Sequence, residues 1–237
     1  MYLWVQLQLR SKMTDPGLEA KSRYLSAGAT DMYGKYWGRG SIRQYFEQYT
    51  QFEGKSVLDF GCGRGNFVSF KPHGNYTGIE ISEEVCNQNK YNHPQYKWMH
   101  YDGYNYMYNP EGKETTPTLR NHYDVCIAFS VFTHFTFEET RDIIDVLKAH
   151  SDQILFTYYS TRDKGAYEMI CKWRNLEPNM WDQISKHDVF YLKTDKPDQG
   201  LWTFYDDDWL AERFQGTWHH TNLPTNSLKG YNRCLVI

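Results

Sequence analysis

The stretch from Ser56 to Ser82 constrains this chain more than any other. It runs Ser56-Val57-Leu58-Asp59-Phe60, then Gly61-Cys62-Gly63-Arg64-Gly65-Asn66, and later Tyr76-Thr77-Gly78-Ile79-Glu80. A short apolar run ending in a glycine turn predicts a buried strand whose loop can bring backbone close to a ligand, because no Cβ intervenes. Residues 65–70 read as a short helix start, broken by Pro72 and Gly74, which would aim unpaired N–H groups at the same place. Tyr76–Glu80 reads as a second strand, with Ser82 capping the helix that opens at Glu83-Glu84.

The same alternation continues along the chain. A third strand fits Tyr96–His100, ending at Tyr101-Asp102, and Gly103, Pro110, Gly112 and Pro117 make residues 103–121 a long loop. A fourth strand, Tyr123–Phe129, is nearly continuous in apolar residues, as a buried parallel strand should be. A helix opens near Thr136 with Ile143, Ile144, Val146 and Leu147 on its inner face, and a fifth strand fits Gln153–Tyr158. Upstream, Ser41 caps a helix through Arg43, Tyr45, Phe46 and Tyr49. Strands alternating with helices predict a parallel sheet covered on both faces. Residues 160–203 show Trp173, Trp181, Tyr191, two prolines and scattered charges but no clean strand, and are expected to form an inserted helical lid. An Asp near 206–208 caps a helix through Phe214, and Thr217–Asn222 with Tyr231–Ile237 read as a closing hairpin. The division is then an N-terminal extension at 1–40 and one α/β domain at 41–237.

Composition narrows the function classes. A net charge of −3 gives no general attraction to nucleic acid. Five scattered cysteines without a CxxC pair argue against a zinc site or a disulfide framework and fit a reducing cytoplasm. No metal is expected. No apolar run approaches the roughly 20 residues that cross a membrane, so no membrane partner is expected. Met1–Lys12 alternates apolar and polar residues but lacks a signal-peptide pattern, and Met1 and Met13 both stand as starts. Aromatic residues reach 17%, which suits a ligand-facing cavity as well as it suits a Tyr-rich core.

Three acids fall at the carboxyl ends of three successive predicted strands: Asp59, Glu80 and Asp102. Such positions converge on one crevice in an open α/β sheet. A carboxylate at Glu80 can accept both hydroxyls of a ribose, and one at Asp102 can accept from an exocyclic adenine amine. The glycines at 61, 63 and 65, with Asn66 next, depart from the G-x-G-x-x-G of dinucleotide enzymes, which speaks against a nicotinamide oxidoreductase.

The acidic–x–Gly–x–Gly–x–Gly pattern from Asp59 to Gly65 resembles the class I S-adenosylmethionine-dependent methyltransferases, over roughly residues 40–160 and 204–237. The resemblance implies an α/β, doubly wound, seven-stranded mostly parallel sheet of order 3-2-1-4-5-7-6, with strand seven antiparallel. It implies S-adenosylmethionine as cofactor, with Asp59 near its methionine amino group and Phe60, Gly61, Cys62 and Gly63 on the loop beneath. Glu80 would hold the ribose, Ile81 would pack on the adenine, and Asp102 with Gly103 would meet its edge. Tyr36 and Trp37 would fold over the cofactor, where an aromatic face favours the sulfonium cation. Phe129 and Ser130 would border it from the other side.

Phe129-Ser130-Val131-Phe132-Thr133-His134-Phe135 is similar to the segment that lines the methyl-transfer site of small-molecule methyltransferases. His134 is the foremost candidate general base, since imidazole titrates near neutral pH; a local packing role is the alternative. Tyr159, beside Tyr158 and Asp163, is a second catalytic candidate. No Asn-Pro-Pro-Tyr or Asp-Pro-Pro-Tyr run follows the fourth strand, so the expected acceptor is an oxygen or nitrogen of a small molecule (a sugar, nucleotide or secondary metabolite) rather than nucleic acid. The competing reading is a catalytically silent subunit that scaffolds a partner.

Overall fold

The computed structural model describes residues 3–7, 41–68, 74–105, 108–174, 176–194, 201–220 and 232–237. Five strands form its centre: β2 (Ser56–Phe60), β3 (Asn75–Glu80), β4 (Lys97–His100), β5 (Val125–Ala128) and β6 (Ile154–Ser160). They pair in parallel in the order β4-β3-β2-β5-β6. Every residue of β5 and β6 is buried, which is why their sequences stay apolar on both faces. The chain lays β3 and β4 on one side of β2, then crosses to place β5 on the other. A crevice therefore opens above the carboxyl ends of β2 and β5, at the point where strand order reverses.

Helices cover both faces. On one face Leu58, Cys126, Ala128, Ile154 and Phe156 pack in the same cluster as Ile143, Ile144 and Leu147 of α3 (Phe137–Ala149). The opposite parity, Val57, Val125, Ile127 and Leu155, packs with Ile42, Tyr45 and Phe46, which belong to the helix Ser41–Phe46 (α1). The helix Glu83–Asn92 (α2) starts at Ser82, whose Oγ accepts from the Val85 N–H, as expected. α3 opens on a reciprocal capping box, in which Thr136 Oγ1 accepts from Glu139 N and Glu139 Oε2 accepts from Thr136 N at 2.7 Å.

Past β6 come two helices, α4 (Lys164–Arg174) and α5 (Trp181–Ile184), then strands β7 (Val189–Thr194) and β8 (Leu201–Tyr205). The helix Asp207–Phe214 (α6), capped by Asp206, follows, then β9 (Thr217–His219) and β10 (Asn232–Val236). β10 runs antiparallel between β6 and β9. The core order is thus the expected 3-2-1-4-5-7-6 with strand seven antiparallel.

Two expectations are corrected. Residues 160–203 are not strand-free: β8 pairs in parallel with β6 at Tyr159 and Ser160, and β7 pairs antiparallel with β8. The strand Leu3–Leu7 (β1), from the expected extension, pairs in parallel with β7. These three strands form a ribbon on the upper end of β6, and α4 and α5 bury Ala166, Tyr167, Ile170 and Ile184 against it. The second correction concerns the glycine loop. Residues 61–68 fold as consecutive turns, closed by Gly65 N to Cys62 O and Val68 N to Gly65 O, so 65–68 of the expected helix start at 65–70 are turns, and 69 and 70 lie outside the described residues. Three glycines within five residues disfavour helix propagation. No described helix is long and apolar enough to cross a membrane.

The capping box makes a direct test of the α3 start. Thr136→Ala should cost about 1 kcal/mol of unfolding free energy, read from urea denaturation midpoints at unchanged m-value.

Candidate functional site

One cavity gathers the ends of β2, β3 and β5. From the glycine loop it is lined by Asp59, Phe60, Gly61, Cys62 and Gly63, and from β3 by Ile79, Glu80 and Ile81. Phe129, Ser130, Val131, His134 and Phe135 form the wall after β5. These include nine of the expected cofactor residues and the expected base. Sequence reasoning did not single out Ile42, Arg64, Tyr101, Asn105 or Tyr108, which also line it.

The loop needs its glycines. Gly61, Gly63 and Gly65 take φ of +72°, +53° and +72°, the left-handed region that side chains rarely adopt. A Cβ on Gly61 would lie 2.5 Å from a methyl of Val131, so the two cavity walls touch at this point. Backbone and α2 then fix the loop. Gly61 N and Cys62 N both donate to Ile79 O at 2.9 Å. Asn89, buried on α2, donates from Nδ2 to Gly63 O at 2.7 Å, and Arg64 donates to Gln88 Oε1 at 2.9 Å.

Glu80 is oriented by backbone. Its Oε2 accepts from Gly63 N at 2.9 Å and its Oε1 from Ser82 N at 3.0 Å. One backbone donor on each oxygen sets the plane of the carboxylate. Asp59 is 4% exposed and accepts from the Tyr76 hydroxyl at 2.7 Å. Burial, with the nearby Glu80 charge, pushes the Asp59 carboxyl up to about 7, against the pull of the Tyr76 hydrogen bond. A cation entering beside Asp59 would relieve that strain. The Asp59 carboxyl and the placed Glu80 fit the ammonium and the ribose hydroxyls of S-adenosylmethionine.

Ser130, the second residue past β5, has φ +57°, and its N–H donates to Thr157 Oγ1 at 2.7 Å. The chain then forms a 3-10 turn, Phe132–His134, held by the β7–β8 ribbon. Thr203 Oγ1 donates to Phe135 O at 2.6 Å, and Phe137 N donates to the Tyr191 hydroxyl at 2.8 Å. His134 Nδ1 lies 3.0 Å from Leu201 O. A carbonyl only accepts, so Nδ1 carries the proton and the lone pair of the neutral ring sits on Nε2. Trp202 meets the imidazole edge-on at 4.7 Å, and Tyr108 at 5.5 Å.

Other expected site residues lie elsewhere. Asp102 and Gly103 do not line the cavity. Asp102 Oδ1 accepts from Asn109 Nδ2 at 2.9 Å, and its carbonyl accepts from Lys113 N and Glu114 N. The carboxylate thus closes the loop after β4, which brings Asn105 and Tyr108 to the cavity in its place. Tyr159 is buried between the rings of Trp202 and Phe204, in the cluster beneath α4, and is not a cavity residue. Tyr36 and Trp37 lie outside the described residues. Among the described residues no group of His, Cys, Asp or Glu could hold a metal ion.

The raised Asp59 carboxyl has a signed consequence for stability. Its folded value, about 7, lies above its usual 3.8, so its favourable contribution is complete below the lower value and is lost as pH rises through the upper one. Asp59→Asn, which keeps an acceptor for Tyr76, should therefore raise the melting temperature of the unliganded protein most at pH 8, progressively less as pH falls toward 3.8, and little below that value. The scale is about 2–4 °C for each kcal/mol in a chain this long, read by calorimetry.

Residues 58–152 match a family model described as a methyltransferase domain. Among solved structures, the magnesium protoporphyrin IX methyltransferase of Synechocystis, with S-adenosylhomocysteine bound, is similar over 94% of this chain and 94% of its own. The TM-score is 0.57 at 16% identity. The glycopeptide N-methyltransferase MtfA, complexed with S-adenosylmethionine, is similar over 83% of this chain and 85% of its own, with a TM-score of 0.52 at 11% identity. Residues 58–152 thus resemble a methyltransferase domain, and the chain around them has the fold of the class I S-adenosylmethionine-dependent methyltransferases.

Proposed function

We propose that this chain moves the methyl group of S-adenosylmethionine to an oxygen or nitrogen of a small molecule. The observation that carries the reading is the pair of buried carboxylates, Asp59 and Glu80, on one cavity with the positive-φ glycine loop. The small-molecule half draws on two similar proteins whose names specify a porphyrin and a glycopeptide, and on the absence of a proline-rich motif after β5.

When bound, the cofactor supplies a methyl carbon already activated by its sulfonium. The chain's own work is binding, alignment and proton removal. Asp59 takes the ammonium, Glu80 the ribose hydroxyls, and Ile81 packs on the adenine. Phe129 and Ser130 border the reacting end. Alignment can supply up to about 7–11 kcal/mol in well-oriented systems, so no large catalytic constellation is required. His134 Nε2 takes the proton from a hydroxyl as it attacks, or from a protonated amine before it attacks. Its tautomer is set from behind by Leu201 O.

Millimolar S-adenosylmethionine should raise the melting temperature, as a ligand specific for the folded state must, and Asp59→Ala or Glu80→Ala should shrink the shift. Cofactor affinity should fall as pH drops below about 7, where Asp59 takes up its proton. No shift in the wild type would overturn the cofactor reading. With an acceptor found by screening for S-adenosylhomocysteine release, His134→Gln should lower kcat by about 10²–10⁴ at unchanged cofactor affinity. Unchanged turnover would remove His134 as base, and release from no acceptor would favour a scaffolding role.

A further inference from the structure

Ser130 is one of two described non-glycine residues with a left-handed backbone. The other, Gln215, ends α6, where that conformation is an ordinary way to stop a helix. Ser130 has no such excuse. It stands two residues past β5, where the chain leaves the sheet and becomes cavity wall.

The ladder explains how the turn is held. The last β5 residue, Ala128, is registered opposite Phe156 on β6. One step further, β6 offers the hydroxyl of Thr157 to the Ser130 N–H, at 2.7 Å. Thr157 is completely buried, so packing holds its side chain in place, while Ser130 at the other end of the bond is half-buried on the cavity wall. A side chain thus ends the ladder and turns the chain at the same atom. The next residue, Val131, is carried against Gly61, close enough that a Cβ there would clash. Any relaxation of the turn at Ser130 moves Val131 relative to the glycine loop.

We propose that Thr157 is a positioning residue for methyl transfer: its hydroxyl holds Ser130 in the left-handed turn and so sets the spacing between the Ser130–Val131 wall and the Gly61 loop. This rests on the reading of that cavity as the cofactor site. Thr157 itself does not line the cavity and acts through Ser130.

The test uses four variants of the full chain: Thr157→Val, which keeps shape and removes the hydroxyl, Thr157→Ser, Ser130→Gly, and the double variant Ser130→Gly/Thr157→Val. S-adenosylmethionine affinity is read by calorimetry, and melting temperature in parallel. Thr157→Val should weaken binding about tenfold, the scale of one lost hydrogen bond. Thr157→Ser should restore it. The double variant should recover most of the loss, because glycine takes positive φ without an anchor. Equal binding by wild type and Thr157→Val would overturn the proposal even if the melting temperature falls. So would a Thr157→Ser variant as impaired as Thr157→Val, or a double variant with no recovery. If Thr157→Val does not fold, amide exchange at Ser130 in the wild type decides: rapid exchange overturns the bond. A wild type that binds no S-adenosylmethionine removes the cofactor reading and this one with it. Failure here alone instead shows as a wild type that binds normally and loses affinity on Asp59→Ala but not on Thr157→Val.

Discussion

Asp59 and Glu80 end neighbouring parallel strands, and the register that pairs Asp59 with Gly78 and Phe60 with Ile79 fixes where both carboxylates must emerge. Removing two like charges from water is unfavourable unless each is tied to a donor. The local structure answers with the Tyr76 hydroxyl on Asp59 Oδ2 and with the Gly63 and Ser82 N–H groups on the two oxygens of Glu80. The ties on Glu80 in turn dictate the loop. Gly63 must turn its N–H back toward β3, which a left-handed backbone allows, and Asn89 holds the carbonyl of the same residue from α2. The glycine loop is therefore shaped by the acid it serves as much as by what it would bind.

The opposite wall is built by different means. After β5 no helix or strand continues for several residues, and the 3-10 turn at Phe132–His134 would be held weakly if left to itself. The β7–β8 ribbon supplies what is missing. Thr203, Tyr191 and the Leu201 carbonyl each bond to this segment, and Trp202 closes on the imidazole. A ribbon outside the seven-stranded core thus fixes both the position and the tautomer of His134.

That division explains what could be read in the sequence. The central strands, the Ser82, Thr136 and Asp206 caps and the acids at 59 and 80 all rest on local chemistry: short apolar runs, side-chain capping, and a glycine turn after such a run. The ribbon does not. Val189-Phe190-Tyr191-Leu192 becomes a strand because β8 and β1 pair with it, and β1 lies at the far end of the chain. Strand formation of that kind depends on neighbours rather than on intrinsic preference. Asp102 shows the same limit within the site. It lies two residues past the end of β4, where His100 and not Asp102 is the partner of Glu80, and Asn109, seven residues on, captures its carboxylate and folds the loop. Tyr159 fails for a geometric reason, since its face of β6 is covered there by α4 and the ribbon.

The energetic character of the cavity follows from these constraints. An ionised Asp59 in a dry site is a cost to the fold, and the raised carboxyl shows that the protein does not fully offset it. Ser130 adds a second cost in its backbone, held by Thr157. Neither Asp59 nor Ser130 belongs to the apolar cluster that holds Leu58, Phe60 and Ala128. Local choices that oppose stability and meet on one cavity are the mark of a functional site. A cationic ligand reverses the sign of the first cost, because the charge that is poorly solvated in the empty pocket becomes the partner that holds the ligand. A neutral ligand of the same shape could offer Asp59 a hydrogen bond but no countercharge, so the electrostatics of the cavity favour positive charge independently of any resemblance in the glycine loop.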